Sequence, residues 1–192
     1  MTNPILDDIE LCHWVAEKLP IRFIGDPVLA VVCEPFTEEE FGGPEMHSLA
    51  ERLIDTLTTY REHAGTGRGL AANQIGETRS MVAVWFKDVP EILVNPEVVS
   101  TDGMGEYYET CLSSGALIIG EVVRPWKGIF KYRDISGTKH TLEANEFETR
   151  VLLHEIDHLN GEHCMNKYEY GSVRFVTGGK EEVMSHKLKK TA

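Results

Sequence analysis

The sequence contains no long hydrophobic run and has few positive charges for its length. Its longest apolar stretch, near Met81–Phe86, is much shorter than the roughly 20 residues that a membrane-spanning helix needs. The chain has 19 Lys and Arg against 31 Asp and Glu, a net charge of −12, which disfavours broad attraction to nucleic acid or anionic lipid. We therefore expect no specific nucleic-acid binding and no membrane association.

Two features that the sequence lacks help to predict the cellular compartment. No Lys or Arg precedes Lys18, whereas secretory signals and transit peptides carry positive charge near their start. The cysteines also lack a C-x-x-C pair; they are Cys12, Cys33, Cys111 and Cys164. In a chain of this size without a signal, such cysteines are typical of reduced thiols, so we predict a cytoplasmic protein.

Length and composition are those of one globular domain. The 192 residues suffice for one hydrophobic core and are few for two. The apolar share of 42% and the charged share of 26% are ordinary for such a domain. No internal repeat or linker interrupts the sequence. We predict one α+β domain over residues 1–192.

The hydrophobic pattern alternates between helical and strand-like segments. Helices are predicted over residues 1–20, 44–64 and 145–160, with a last one from Lys180, and strands over residues 81–86, 92–99, 116–123, 128–134 and 174–176. The third helix has the clearest start, since Asn145 and Glu148 form a capping-box pattern. Asn95-Pro96 is expected to interrupt the second strand, and residues 109–115 are expected to form a polar turn.

The stretch His154-Glu155-Ile156-Asp157-His158 predicts a metal site on the third helix. Two histidines four positions apart share one helix face with Cβ atoms about 5–6 Å apart, so they can bind one ion at metal–nitrogen distances of about 2.0–2.1 Å. Glu155 follows the first histidine and can reach water in an open coordination position. The pattern is typical of metallohydrolases, but it needs a third protein ligand.

Two cysteines compete for the role of third ligand. Cys164 stands where the metzincin spacing H-E-x-x-H-x-x-G-x-x-H has its last histidine, while His163 is one position early. Cys111 is distant in sequence and lies in the predicted polar turn, from which a thiolate could point into a cleft. The chemistry of the residues leaves both cysteines open.

The segment Gly67–Gly76 carries almost no side-chain bulk. Its sequence GRGLAANQIG predicts that another group approaches this backbone closely. It lacks the Gly-Lys-Ser/Thr ending of a phosphate loop and does not fit G-x-G-x-x-G. Gln74 offers an amide donor to a ligand. The alternative is a flexible turn packed against a neighbouring element.

Taken together, three motifs resemble those of the peptide deformylases. They are Gly67-Arg68-Gly69-Leu70-Ala71-Ala72-Asn73-Gln74, Glu109-Thr110-Cys111-Leu112-Ser113 and His154-Glu155-Ile156-Asp157-His158, in the family's order and approximate spacing. The resemblance extends over nearly the whole chain, from about residue 21 to 168. It implies a fold in which antiparallel or mixed β-sheets pack around a central helix that carries the H-E-x-x-H motif.

The resemblance also implies that Cys111, His154 and His158 are the ligands of one divalent metal ion, with water in the fourth position. In the family the physiological ion is Fe(II), and zinc, nickel or cobalt can replace it. A mixed thiolate and imidazole set is compatible with all of these ions. Glu109 is implied to orient the metal ligands without binding the ion itself.

The reaction implied is hydrolysis of the N-formyl group from the initiator methionine of a newly made polypeptide, with release of formate. Glu155 is implied to pass the proton of water to the departing amine. The Gln74 amide and the Leu112 backbone N–H are implied to stabilise the oxyanion. The residues implied to contact the extended peptide are Gly67, Arg68, Gly69 and Thr110.

Three residues depart from the family's pattern. Thr110 replaces a glycine, so a glycine-only backbone angle would be strained there. Arg68 stands at a usually aliphatic position near the family's methionine pocket, and Leu153 replaces a common glutamine. None of these changes removes a ligand, the base or the oxyanion amide. We therefore predict an active metal site with altered or reduced deformylase activity.

Two other functions stay open from the sequence. A related metallo-amidase would act on another small N-acyl group, and a non-catalytic deformylase-like protein would bind peptide N-termini. The basic C-terminal residues Lys187, Lys189 and Lys190 also suggest a transient contact with the ribosome, because deformylases act co-translationally.

Overall fold

The computed structural model, which describes residues 4–176 and 189–190, contains one antiparallel β-sheet and three α-helices. The helices are α1 (Pro4–Lys18), α2 (Pro44–Ala64) and α3 (Glu146–Leu159). The strands are β1 (Gly69–Ala71), β2 (Met81–Val84), β3 (Glu91–Thr110), β4 (Ile118–Arg133), β5 (Lys139–Ala144), β6 (Arg174–Phe175) and β7 (Lys189–Lys190). The predicted α+β class is confirmed.

The sheet is built on the long hairpin of β3 and β4. Its main path runs β1-β2-β3-β4-β5, while β6 pairs with β4 and β7 pairs with β3. All of these pairings are antiparallel. Within this order β1 stands at the end of the path and pairs with β2 on one side.

The sequence predicts an interruption at Asn95-Pro96, and the structure shows one that does not end the strand. It forms a bulge inside β3, where the register with β4 shifts and Asn95 has a φ of 49°. The Asn95 side chain stabilises the bulge, because it accepts a hydrogen bond from Phe36 N at 2.9 Å and donates one to Phe36 O at 2.8 Å. A bulge bends a strand and adds one unpaired residue without terminating the ladder.

The predicted strands at residues 116–123 and 128–134 are one strand, β4. Gly128 remains paired with β3, and the ring of Phe130 fills the space where a side chain on Gly128 would lie. The prediction left residues 124–127 between two strands, but Arg124, Pro125 and Lys127 are paired with β3. The predicted polar turn at residues 109–115 is also shorter, since β3 continues to Thr110.

The strand β2 lies between two layers of helix. Met81 and Ala83 pack in a core with α2, while Val82 and Val84 pack in a second core with α3. Successive side chains of a strand point to opposite faces, so burial on both faces explains why this segment is apolar throughout. This sandwich fixes α3 against the sheet beside β1.

Helix α3 begins and ends where the sequence predicts. The side chain of Asn145 accepts hydrogen bonds from Phe147 N and Glu148 N, each at 3.0 Å, and Glu148 Oε2 accepts one from Asn145 N at 3.0 Å. This reciprocal capping box satisfies backbone donors at the first turn. The helix ends before Asn160.

The two chain ends agree with the prediction in part. Helix α1 and strand β6 lie where a helix and a strand were predicted. The predicted last helix from Lys180 falls mainly outside the described residues, and Lys189–Lys190 form the short strand β7 instead. None of the described helices is long and apolar enough to cross a membrane. One domain over residues 1–192 stays a prediction.

Candidate metal centre and active site

The three motif segments meet at one cavity of about 620 Å³. The first motif lies on and after β1, the second spans the end of β3 and the following turn, and the third lies on α3. The predicted site residues that line this cavity are Gly67, Arg68, Gly69, Gln74, Glu109, Thr110, Cys111, Leu112, His154 and Glu155. His158 lies one helical turn beyond His154 and is fully buried.

Cys111 and His158 are in direct contact. Cys111 Sγ lies 3.2 Å from His158 Nε2, and both residues are buried. The rings of His154 and His158 are 5.0 Å apart between centroids and meet edge to face, as residues on one helix face do. Burial lowers the pKa of His158 well below its usual value, which keeps its imidazole in the neutral form that binds metals.

Glu109 holds His154 in one orientation. Its Oε2 lies 3.0 Å from His154 Nδ1, which directs that nitrogen to the carboxylate and leaves Nε2 for a metal. Burial opposes the ionisation of Glu109, but the charges and hydrogen bonds of Arg124 and His154 together outweigh it, and the pKa of Glu109 is lowered to about 2. Burial also opposes protonation of His154, yet the hydrogen bond with Glu109 and the surrounding acidic groups together raise the pKa of His154 to about 9.

Arg124 ties Glu109 to helix α3, and none of the three motifs contains it. Its guanidinium donates to Glu109 at 2.6 and 2.9 Å and to Asp157 at 2.8 Å. Asp157 also accepts from Lys167 Nζ at 2.8 Å. The sequence of β4 contains a signal for this ion pair. Buried and less buried residues alternate along part of the strand, and Arg124 lies on the same buried face as Val122. A charged residue on a buried strand face predicts a buried ion pair.

Glu155 points at the backbone of β1. Gly69 permits this approach, because a Cβ at position 69 would clash with the Glu155 carboxylate. Glu155 Oε2 is buried and has no hydrogen-bond partner among the described residues. Burial raises the pKa of Glu155 to about 7, a value suited to proton exchange near neutral pH. Glu155 is thus a group that approaches the glycine-rich backbone closely.

Gln74 presents a fixed amide donor to the cysteine. It lies in the 3-10 turn Ala72–Ile75 that follows β1. Its Oε1 accepts a hydrogen bond from Ala71 N at 2.8 Å, which turns Nε2 towards Cys111 Sγ at 3.4 Å and Ser113 Oγ at 3.2 Å. Because the carbonyl end is anchored, the direction of the N–H groups is set before any ligand binds.

The turn after β3 directs a backbone N–H group at the sulfur of Cys111. Cys111 precedes the 3-10 turn Leu112–Ser114, and Ser113 N donates a hydrogen bond to its Sγ at 3.4 Å. A backbone N–H directed at sulfur favours the thiolate form. Leu112 lines the cavity directly beside it.

The structure brings Cys164 to the same site as Cys111, although the sequence presented the two as alternatives. A hydrogen bond with Cys111 lowers the pKa of Cys164, while burial raises the pKa of Cys111. Among the described residues, two groups have ligand atoms within 4.8 Å of one another: Cys111, His158 and His163, and Glu109, His154 and Cys164. The three ligands that the resemblance implies are divided between these adjoining groups.

The backbone strain expected at Thr110 is absent from the described chain. Thr110 is the last residue of β3 and pairs with Ile119 of β4, and the described non-glycine residues with positive φ are Asn95 and Ala116. That expectation was wrong, because an extended strand accepts a β-branched residue without cost. The Thr110 hydroxyl is buried and has no hydrogen-bond partner among the described residues.

Arg68 places a guanidinium in the cavity wall. Its Cζ lies 5.2 Å from the centre of the Phe147 ring, and Nη1 donates to Trp85 O at 3.4 Å. Burial lowers the pKa of Arg68, and the nearby charge of Arg61 adds to that effect. The cavity therefore contains a partly desolvated positive charge where the resemblance implies an apolar pocket.

These side chains fit a divalent transition metal. Imidazoles and thiols suit zinc, iron, cobalt and nickel, whereas magnesium and calcium prefer oxygen ligands. His154 already has the carboxylate partner that metal-binding histidines usually have, and Glu155 adds a buried, unpaired carboxylate oxygen beside them. The set has the composition of a catalytic metal centre.

The comparisons with known proteins agree with this geometry. The family profile for polypeptide deformylase matches residues 18–171. The chain is 34% identical over 166 residues to a peptide deformylase of Thermoanaerobacter sp. (strain X514), covering 86% of this chain and 92% of the relative. It is 36% identical over 158 residues to a peptide deformylase of Thermus thermophilus, covering 74% and 78%.

Two solved structures show the same architecture. The peptide deformylase from Thermotoga maritima matches with a TM-score of 0.69 and 31% identity, covering 78% of this chain and 96% of that one. The actinonin-bound peptide deformylase from Acinetobacter baumannii matches with a TM-score of 0.71 and 26% identity, covering 79% and 98%. The family match spans all three motifs around the cavity. The chain therefore belongs to the peptide deformylase family and has the enzymatic activity of that family.

Proposed function

We propose that this deformylase removes the N-formyl group from the N-terminal methionine of newly made polypeptides and releases formate. The observation that carries the proposal is the meeting of a thiol, two imidazoles and a buried carboxylate at one cavity beside the edge strand β1. The actinonin complex of the Acinetobacter baumannii relative supports a ligand site of this kind.

Cys111, His154 and His158 are the proposed ligands of one divalent metal ion. Fe(II) is the proposed physiological ion, with zinc, nickel or cobalt as replacements, because the mixed donor set is compatible with each of them. When bound, such an ion lowers the pKa of water towards neutrality and polarises the formyl carbonyl. Glu109 fixes the direction of the His154 ring.

Glu155 acts in this proposal as the proton carrier. Its carboxylate accepts the proton of the attacking water and delivers it to the departing amine. Gln74 Nε2 and the Leu112 backbone N–H stabilise the negative charge that develops on the formyl oxygen. Gln74 is suited to this role because its amide is held in place at the carbonyl end.

The peptide chain of the substrate binds along β1. This strand ends the main path of the sheet, so an extended peptide can add to its outer edge through backbone hydrogen bonds. Backbone pairing gives affinity with little demand on the sequence beyond the first residue. Gly67, Arg68, Gly69 and Thr110 line the cavity and are the proposed contacts.

The proposal is tested by formate release from formyl-Met-Ala-Ser, with protein purified without oxygen and reconstituted with Fe(II), Ni(II) or Zn(II). We expect formate with at least one metal. A protein that holds one metal ion but releases no formate would point to a metallo-amidase for another acyl group, to be checked with acetyl peptides. A protein that holds no metal and releases none would favour peptide binding without catalysis.

Replacing Gly69 by alanine should lower the kcat of formate release by about 10²-fold, since the new methyl group displaces the Glu155 carboxylate and small misplacements are costly. Metal content should not change. The matched control is a double variant of Gly69→Ala and Glu155→Gln. If Gly69→Ala acts through Glu155, it should add little to the loss already caused by Glu155→Gln. Two independent, additive losses would contradict the mechanism.

Replacing Arg68 by isoleucine should raise kcat/KM for formyl-Met-Ala by about tenfold, because a methionine side chain no longer has to pack against a desolvated charge. Activity on formyl-Glu-Ala, whose carboxylate Arg68 can pair with, should fall. Thr110→Gly should have a smaller effect, since Thr110 is not strained. Wild-type-like turnover on formyl-Met-Ala, with no effect of either substitution, would contradict the predicted alteration of activity.

The C-terminal lysines are proposed to contact the ribosome transiently in the cytoplasm. Lys189 and Lys190 pair with Glu106 and Gly105 of β3, which places this basic segment on the sheet rather than at the cavity. Deleting residues 187–192 should weaken co-sedimentation with ribosomes at low salt and leave turnover of short formyl peptides unchanged. Equal ribosome binding by the shortened and the full chain would remove this proposal.

A further inference from the structure

Two arginine side chains line the cavity beside the proposed metal centre. They are Arg68, which precedes Gly69, and Arg150 on helix α3. Their guanidinium carbons lie 5.2 Å and 5.7 Å from the centre of the same ring, that of Phe147. Among the described residues, neither guanidinium has a carboxylate within the 4.0 Å of an ion pair. One wall of the cavity thus carries two positive charges without a protein counter-charge in contact.

Both arginines are neighbours of residues that act on the formyl group in the proposed mechanism. Arg150 stands one helical turn before the proposed ligand His154, and residues four apart share one helix face. Arg68 is joined to Gly69, whose backbone the Glu155 carboxylate approaches. The formyl group is attached to the first residue of the substrate, so the side chain of that residue is the part of a bound peptide expected to meet the two guanidiniums.

Three carboxylates line the same cavity, but none of them pairs with these arginines. The charge of Glu109 reaches Arg150, yet both of its oxygens already accept hydrogen bonds from Arg124. Glu155 is directed at the backbone of β1, and Asp8 on α1 forms no ion pair among the described residues. Burial lowers the pKa of both cavity arginines, as expected of charges that have lost water. A desolvated charge is costly unless it is paired, so these two favour an anionic ligand.

We propose that Arg68 and Arg150 form a subsite for the carboxylate of an acidic first residue, so that the protein also deformylates formyl peptides that begin with glutamate. This rests on the proposed function and adds a substrate class to it. A guanidinium can donate two parallel hydrogen bonds to one carboxylate. Glutamate and methionine side chains have the same number of heavy atoms along their length, so a pocket of one size accepts both, and the two charges decide which is preferred.

Formate release from formyl-Glu-Ala-amide and formyl-Gln-Ala-amide tests the subsite, because these substrates differ in charge but not in size. We expect kcat/KM of the metal-loaded wild type to be about 10–100-fold higher for the glutamate substrate, the usual effect of hydrogen bonds to a charged group. Arg150→Met should lower this ratio about tenfold, and Arg150→Lys, which keeps the charge, should retain part of it. A ratio of two rates does not depend on how much protein is folded or metal-loaded, so a merely structural role would leave it unchanged.

The matched control is Arg133→Met. The Cζ of Arg133 lies 4.8 Å from the centre of the Phe41 ring, so this arginine also contacts an aromatic ring, but it does not line the cavity. The variant should keep the wild-type ratio. A preference for glutamate that Arg150→Met and Arg68→Ile both leave intact would overturn the assignment of the subsite to these two arginines.

Calorimetric binding of the product peptides Glu-Ala-Ser-amide and Gln-Ala-Ser-amide gives a second readout that does not depend on turnover. The glutamate peptide should bind at least about tenfold more tightly, and Arg150→Met should remove most of this difference. Equal rates and equal binding of the two peptides, in a protein that releases formate from formyl-Met-Ala, would overturn the subsite and keep the proposed function. Tighter binding of the glutamate peptide, with no formate from any substrate, would keep the subsite and overturn the proposed function.

Discussion

Replacing Glu155 by glutamine is expected to reduce kcat for formate release by about 10²–10⁴-fold, the usual contribution of a general acid–base group. Glutamine preserves the size of the side chain beside Gly69 but can no longer accept the proton of water. Glu155 lines the cavity and belongs to neither of the two groups whose ligand atoms lie within 4.8 Å of one another. Metal content should therefore stay at the wild-type level, so that the lower kcat can be attributed to the loss of proton transfer.

The control for this prediction is Glu51→Gln, an exposed glutamate on helix α2. It makes the same change of charge and should leave kcat unchanged. The measurement is formate release beside metal analysis of the same preparations. Turnover in Glu155→Gln close to wild type would remove Glu155 from the mechanism. A loss of metal in that variant would show that the carboxylate supports the metal site instead.

Much of this site was predicted from local patterns in the sequence. The spacing of His154 and His158 and the capping box of Asn145 lie within one helix, where neighbours in sequence are neighbours in space. The lack of side-chain bulk in Gly67–Gly76 predicted a close approach to this backbone, and the Glu155 side chain makes one at Gly69. Each of these features depends on residues only a few positions apart, so the sequence alone contains them.

Features that depend on tertiary contacts were missed. Sequence spacing could not show that Cys111 and Cys164 meet, because one follows β3 and the other follows α3, and only the packed fold brings their thiols together. An interruption at Asn95-Pro96 was predicted, but its form was not, because the bulge is held by contacts with Phe36, 59 positions away. The alternation of buried and less buried residues along β4 indicates that Arg124 is buried. It does not identify Glu109 and Asp157 as the partners of Arg124.

Replacing Arg124 by methionine is expected to destabilise the metal-free protein by about 3–5 kcal/mol, since removing one partner of a buried ion pair leaves the other charge uncompensated. Both Arg124 and Glu109 are only 5% exposed in their side chains. Asp157 keeps its ion pair with Lys167, so the cost falls mainly on Glu109. Urea unfolding of the metal-free chain measures the change without the stabilisation that bound metal adds.

The same substitution should weaken metal affinity by about 10–100-fold, because Glu109 then no longer holds His154 in a fixed orientation. Arg133→Met is the matched control, since its partner Glu38 is exposed and such a surface pair contributes only about 0–1 kcal/mol. A double variant of Arg124→Met and Glu109→Gln separates the two effects. Removing the buried charge should restore part of the stability, whereas metal affinity should stay low because the carboxylate that orients His154 is gone. Full recovery of both would show that Arg124 acts only by neutralising Glu109 and that the orientation of His154 does not depend on the pair.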